Sequence, residues 1–119
     1  MDRKQIKKVI ELYLRELSRR IKVDRAILFG SASRGKVDKE GDIDLLILSR
    51  SFSKMESGKR FDLLYTARTN LITQSIPMDI FGLTSEEYAE AHPLSIVGEI
   101  KETGKEVSFK VIGDGPRIY

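Results

Sequence analysis

The sequence contains no cysteine and no tryptophan, and only one histidine and three prolines in 119 residues. Without cysteine there is no disulfide framework and no thiolate zinc site, so any metal must sit on oxygen ligands or on His92. His92 stands directly before Pro93 and reads as a helix-start residue rather than a ligand. Long apolar runs are missing too. The longest aliphatic stretch, Leu45 to Leu48, is far too short to cross a bilayer. The first twenty residues are charged and lack the apolar segment of a secretory signal, so the expected location is the cytoplasm, with no membrane association. Neither charge sign dominates: 21 Lys and Arg face 18 Asp and Glu, a net charge of +3. That mild excess suits an anionic substrate but argues against direct nucleic-acid binding. There is no internal repeat, low-complexity tract or linker, and no GxxxxGK[ST] phosphate loop. The expectation is a single soluble domain over residues 1–119, with 40% apolar residues to build its core.

What is present alternates between helical and strand periodicities. Ile6, Val9, Ile10, Tyr13, Leu14, Leu17 and Ile21 recur every three or four residues and predict a helix over 3–21, with Asp2 and Gln5 as its capping box. Residues 25–29 read as a short buried strand and 42–48 as a second, aliphatic on both faces beyond its aspartates and therefore central in the sheet. Residues 54–73 read as one helix with Phe61, Leu64, Ala67, Leu71 and Ile72 inward. Met78 to Leu83 follows as a third strand. Thr84 and Glu87 match a capping box for a short helix through Ala91. Pro93 suits the first turn of a further helix that Gly104 ends. Val107, Phe109 and Val111 alternate as a last strand, and residues 113–116 read as a turn or loose tail. The fold class is α/β of the α+β type: a small mixed sheet with helices packed on it.

Chemistry concentrates at the strand ends. Gly30-Ser31 closes the first strand and Asp42-Ile43-Asp44 opens the second. Side chains two apart in a strand share a face, which puts the Cβ atoms of Asp42 and Asp44 roughly 6 to 7 Å apart. Two carboxylates that close raise each other's pKa, and a bound divalent cation removes the penalty. Mg²⁺ suits such a site because it takes carboxylate and phosphate oxygens and keeps several waters. Asp79 is a lone acid in an apolar strand, Ile76-Pro77-Met78-Asp79-Ile80-Phe81, and such an acid needs a partner. If its strand lies beside the second, three carboxylates meet, and two ions about 4 Å apart could activate an attacking hydroxyl and stabilise a leaving pyrophosphate. Gly30 would let the backbone approach a phosphate, Ser31 could add its hydroxyl, and a helical turn over 31–35 would offer free N–H groups to an anion. Arg34 and Lys36 would supply positive charge. Each feature alone has an ordinary explanation: a turn cap, loop punctuation, an Asp79–Arg25 pair, solvated loop charges. The ordered combination is what carries weight.

That combination, Gly30-Ser31, ten residues, then Asp42-Ile43-Asp44, resembles the signature of the polymerase-β-like nucleotidyltransferase superfamily. The short length, Arg34-Gly35 and the Asp42-Ile43-Asp44-Leu45-Leu46 run are similar to its minimal nucleotidyltransferases, and Ile76-Pro77-Met78-Asp79-Ile80 to that family's third-acid strand. Gly41 departs from the serine that often precedes the two acids, without removing a ligand. The resemblance implies a palm-like core and transfer of a nucleoside monophosphate from a triphosphate, ATP above all, to a hydroxyl, with two Mg²⁺. It assigns Asp42, Asp44 and Asp79 as catalytic metal ligands and Gly30, Ser31 and Arg34 as nucleotide contacts. It further implies a separate helical HEPN-type toxin partner, adenylylated on a tyrosine, which makes the chain an antitoxin. Two other readings follow from the same residues: a non-catalytic antitoxin that neutralises by binding, and transfer to a small molecule such as an aminoglycoside, which the lack of an appended substrate domain disfavours. Base preference, acceptor and homo-oligomerisation are left open by the sequence.

Overall fold

In the computed structural model, residues 1–30, 33, 42–112 and 115–118 are described, with side chains through residue 109. The first helix, α1 (Arg3–Leu17), starts on a capping box: the Asp2 carboxylate accepts from the Gln5 N–H at 2.9 Å, and the Gln5 side-chain carbonyl accepts from the Asp2 N–H at 2.8 Å. It buries Ile6, Val9, Ile10, Tyr13, Leu14 and Leu17 as one stripe. The helix ends four residues earlier than the periodicity predicts. Residues 19–21 continue as a tighter turn, with the Arg19 N–H donating to the Glu16 carbonyl and Arg20 N–H to Leu17, and Ile21 still reaches the core.

The chain then enters β1 (Arg25–Phe29) and β2 (Ile43–Leu48), which pair antiparallel, and returns through a helical segment to β3 (Met78–Leu83), parallel to β2. A two-residue β4 (Lys105–Glu106) adds antiparallel to β1, giving the order β3-β2-β1-β4. β2 is central, as its two aliphatic faces require: Ile43, Leu45 and Ile47 pack with the α1 stripe, while Leu46 and Leu48 face Ile27 and Ile100. Burying both faces fixes the register, because a one-residue slip would exchange the two sets of side chains and turn the acids away from their present face.

The helix expected over 54–73 is two pieces, α2 (Ser57–Thr66) and α3 (Leu71–Ser75), preceded by a 3-10 turn (Arg50–Lys54). The break follows from Asn70, whose side chain caps α3 by accepting from the Ile72 N–H at 2.8 Å. Glu16 of α1 fixes it in place, accepting from the Thr69 N–H, from the Thr69 hydroxyl at 2.6 Å and from the Asn70 N–H at 2.9 Å. Of the five residues expected inward, Leu64 and Ala67 are buried, whereas Phe61, Leu71 and Ile72 are exposed. Beyond β3, the Thr84–Glu87 capping box opens α4 (Ser85–Ala89), two residues shorter than expected. Ser95, rather than Pro93, begins α5 (Ile96–Thr103), and Gly104 ends it. The expected tail is structured in part: β6 (Gly115–Ile118) pairs antiparallel with β5 (Phe109–Ile112), and residues 113–114 lie outside the described residues.

Candidate active site

The register that builds the sheet also gathers the acids. Phe29 of β1 lies opposite Asp44 of β2, and Asp44 lies opposite Asp79 of β3, so all three point to one face at the strand end where β1 stops. Asp42 stands just before β2, two residues from Asp44. One carboxylate oxygen from each of Asp42, Asp44 and Asp79 can be chosen so that all lie within 4.8 Å of one another. Asp44 is the most enclosed of the three. Burial holds its carboxyl above the usual carboxylate range, and the neighbouring Asp79 and Asp42 raise it further.

Among the described residues no lysine, arginine or histidine forms an ion pair with these acids; the ion pairs there are Arg15–Glu11, Arg25–Glu106, Arg50–Asp24 and Arg60–Glu87. Arg25, the alternative partner for Asp79, is held by Glu106 instead. Three converging carboxylates without a cationic partner among the described residues form a hard-oxygen donor set that fits a divalent cation.

Gly30 meets a constraint that its expected role toward a phosphate does not include. Its φ is +66°, in the left-handed region, and a Cβ built on it would lie 2.2 Å from Oδ2 of Asp44. The glycine thus leaves room for the carboxylate. Its carbonyl accepts from the Ser33 hydroxyl at 2.7 Å, which tightens the bend. Ser31, Arg34, Lys36 and Gly41 lie outside the described residues. His92 takes no part: its Nδ1 accepts from the Leu94 N–H at 3.0 Å in the turn before α5.

Two features beside the acids were not read from the sequence. Phe81, two residues beyond Asp79 and on the same face, packs against Phe29 with ring centroids 6.1 Å apart. The period-2 alternation of β3 carries that signal. A groove of about 950 Å³, mostly apolar in lining, runs from Asp79 along β3 between α2 and α5. No periodicity marks it, because it forms where distant elements meet.

The match to known proteins agrees with this arrangement. A family model described as a nucleotidyltransferase domain matches residues 10–111. A putative protein adenylyltransferase of Methanocaldococcus jannaschii is 30% identical over 104 residues, spanning 87% of this chain and 93% of that protein. The crystal structure of a putative nucleotidyltransferase from Sulfolobus solfataricus superposes with a TM-score of 0.63 at 15% identity, covering 88% of this chain and 81% of that one, which shows a shared fold. The chain belongs to the nucleotidyltransferase-domain family.

Proposed function

We propose that the chain transfers AMP from ATP to a hydroxyl of a protein, a tyrosine on a separate helical HEPN-type partner, and so acts as an antitoxin. The observation that carries the chemistry is the convergence of three carboxylates, unpaired among the described residues, beside a positive-φ glycine, in a member of the nucleotidyltransferase family. The protein acceptor is supported by likeness to the M. jannaschii relative, whose name specifies a protein substrate. The HEPN partner is supported by the resemblance of the motifs to minimal nucleotidyltransferases.

In this reading Asp42, Asp44 and Asp79 hold Mg²⁺, two ions in all, which when bound neutralise developing charge on the phosphates. Gly30, Ser31 and Arg34 hold the nucleotide. Asp79 faces the acceptor. The acceptor oxygen bonds to the α-phosphorus, the bond to the α–β bridging oxygen breaks, and pyrophosphate leaves with that electron pair. The acceptor proton passes toward the Asp79 carboxylate.

The test is transfer of label from α-labelled ATP to a co-expressed helical partner. Asp42→Asn and Asp44→Asn are expected to lower transfer by about 100-fold or more while the fold is retained. Undiminished labelling by either variant would remove it from the metal-holding set. Protection of cells from the partner by variants that no longer transfer label would favour neutralisation by binding.

A further inference from the structure

We infer that the uncapped part of the β3 edge, at Ile80 and Gly82, is a docking point for an extended segment of the acceptor protein, with neutral or basic flanks. This rests on the reading that the acceptor is a polypeptide. β3 is the outermost strand of its sheet, with β2 on one side only. The Ile43 N–H donates to the Pro77 carbonyl and the Ser49 N–H to Leu83, which sets the ladder's phase. The backbone groups of Met78, Ile80, Gly82 and Thr84 therefore point outward.

Most of that edge is capped by side chains. The Tyr65 hydroxyl donates to the Met78 carbonyl at 3.3 Å and accepts from the Ile80 N–H at 2.9 Å. Arg60 donates to the Gly82 carbonyl at 3.1 Å, and Glu87 accepts from the Thr84 N–H at 2.7 Å. Between these caps, the Ile80 carbonyl and the Gly82 N–H have no hydrogen-bond partner among the described residues. An acceptor and a donor two residues apart on a strand edge match one residue of an incoming extended chain.

The surroundings select the same occupant. The gap opens into the groove that ends at Asp79, and the groove's apolar walls include Phe61, Phe81 and Ile96, which are 57, 47 and 74% exposed. Among the described residues, the charged ones lining it are Glu56, Asp79, Glu87 and Arg60, and the Arg60 guanidinium is paired with Glu87 at 2.7 Å. Arg60 and Glu87 neutralise each other and Asp79 belongs to the proposed metal-holding triad, so Glu56 is the uncompensated charge among the described lining residues, and it favours a neutral or basic peptide over an acidic peptide or a nucleic acid. A chain paired opposite Phe81 lies roughly 7 Å along the strand from Asp79 at about 3.3 Å per residue, so its side chains are delivered to the triad.

The experiment is an amide-resolved NMR titration of the full chain with excess Mg²⁺ and no nucleotide. The probe is a nine-residue peptide alternating lysine and valine around a central tyrosine. Controls are its glutamate counterpart, the same peptide N-methylated at alternate amides, and a twelve-nucleotide oligouridylate. The lysine peptide is expected to shift the Gly82 amide and slow its exchange, to bind about tenfold tighter than the glutamate peptide, and to lose that binding on N-methylation. Phe61→Ser and Glu56→Lys, both at exposed positions, are each expected to weaken it about fivefold. An unmoved Gly82 amide, indifference to N-methylation, no binding at all, or tighter binding of the oligouridylate at the same resonances would each overturn the proposal. If Gly82 responds while the chain labels no protein, docking stands and the transfer reading falls; if label transfers while Gly82 stays silent, the reverse holds.

Discussion

At the scale of single residues, the site turns on what Gly30 does not have. Its positive φ and the 2.2 Å approach of a built Cβ to Asp44 Oδ2 leave no space for a side chain. Gly30→Ala would strain the backbone by about 1 kcal/mol and push the Asp44 carboxylate out of the cluster. Label transfer is expected to fall by about 100-fold, and the rise in melting temperature on adding Mg²⁺ is expected to shrink, with the circular dichroism spectrum retained. A Gly30→Ala chain with the parent's rate and Mg²⁺ response would show that the carboxylate's position does not depend on this glycine. The three acids were legible in the sequence because strand alternation puts Asp42 and Asp44 on one face and because an acid in an apolar strand needs company. The Gly30–Asp44 contact was not, since it depends on the antiparallel register that sets Phe29 opposite Asp44.

At the scale of elements, β1 and β3 coincide with the segments predicted from alternation, and both capping boxes form where Asp2–Gln5 and Thr84–Glu87 announce them. The misread element is the long helix. Apolar spacing carried the pattern through Asn70, while local hydrogen bonding broke it. Phe61, Leu71 and Ile72 follow helical spacing yet stay exposed, so periodicity identified apolar positions without saying which were core. The break itself hangs on Glu16, which accepts from the Thr69 backbone and hydroxyl, from the Asn70 N–H, and from the fully buried Thr73 hydroxyl at 3.1 Å. Removing the carboxylate takes one shared acceptor from the Thr69 and Asn70 N–H groups and the Thr69 hydroxyl at once, while the Thr73 hydroxyl keeps the Asn70 carbonyl at 2.9 Å. Glu16→Ala is expected to cost about 1–3 kcal/mol in urea unfolding, and Glu16→Gln less, because its amide oxygen still accepts. Equal stability of Glu16→Ala and the parent would show that α2 and α3 separate without this link. Because α3 leads directly into β3, the same link bears on where Asp79 is delivered.

At the scale of the whole molecule, two opposing electrostatic contributions meet, one structural and one at the site. Arg50 bonded to Asp24, and Arg60 bonded to Glu87, hold those two carboxyls below their usual range. A depressed folded pKa gives stability that is present above the unfolded value, about 4, and is lost as pH falls through the folded value. Asp44 runs the other way. Its carboxyl is raised, so the folded state keeps its proton longer than the unfolded state does, and stability falls as pH rises from about 4 through the raised value. At neutral pH without divalent metal, the parent chain therefore carries the cost of an enclosed Asp44 carboxylate beside two further carboxylates, none paired with a cation among the described residues. Asp44→Asn is expected to melt at a higher temperature than the parent under those conditions. The difference should narrow as pH is lowered below about 4, where Asp44 is protonated in both folded and unfolded chains. Saturating Mg²⁺ should reverse the order, because the cation stabilises only the chain that can bind it, by an amount that grows with the ratio of its concentration to its dissociation constant. Thermal melts of both chains from pH 3 to 8, with Mg²⁺ and with chelator, decide the matter. An Asp44→Asn chain less stable than the parent in chelator at pH 7 would mean that this carboxylate supports the fold, and that the cluster is not held under strain for a metal ion to relieve.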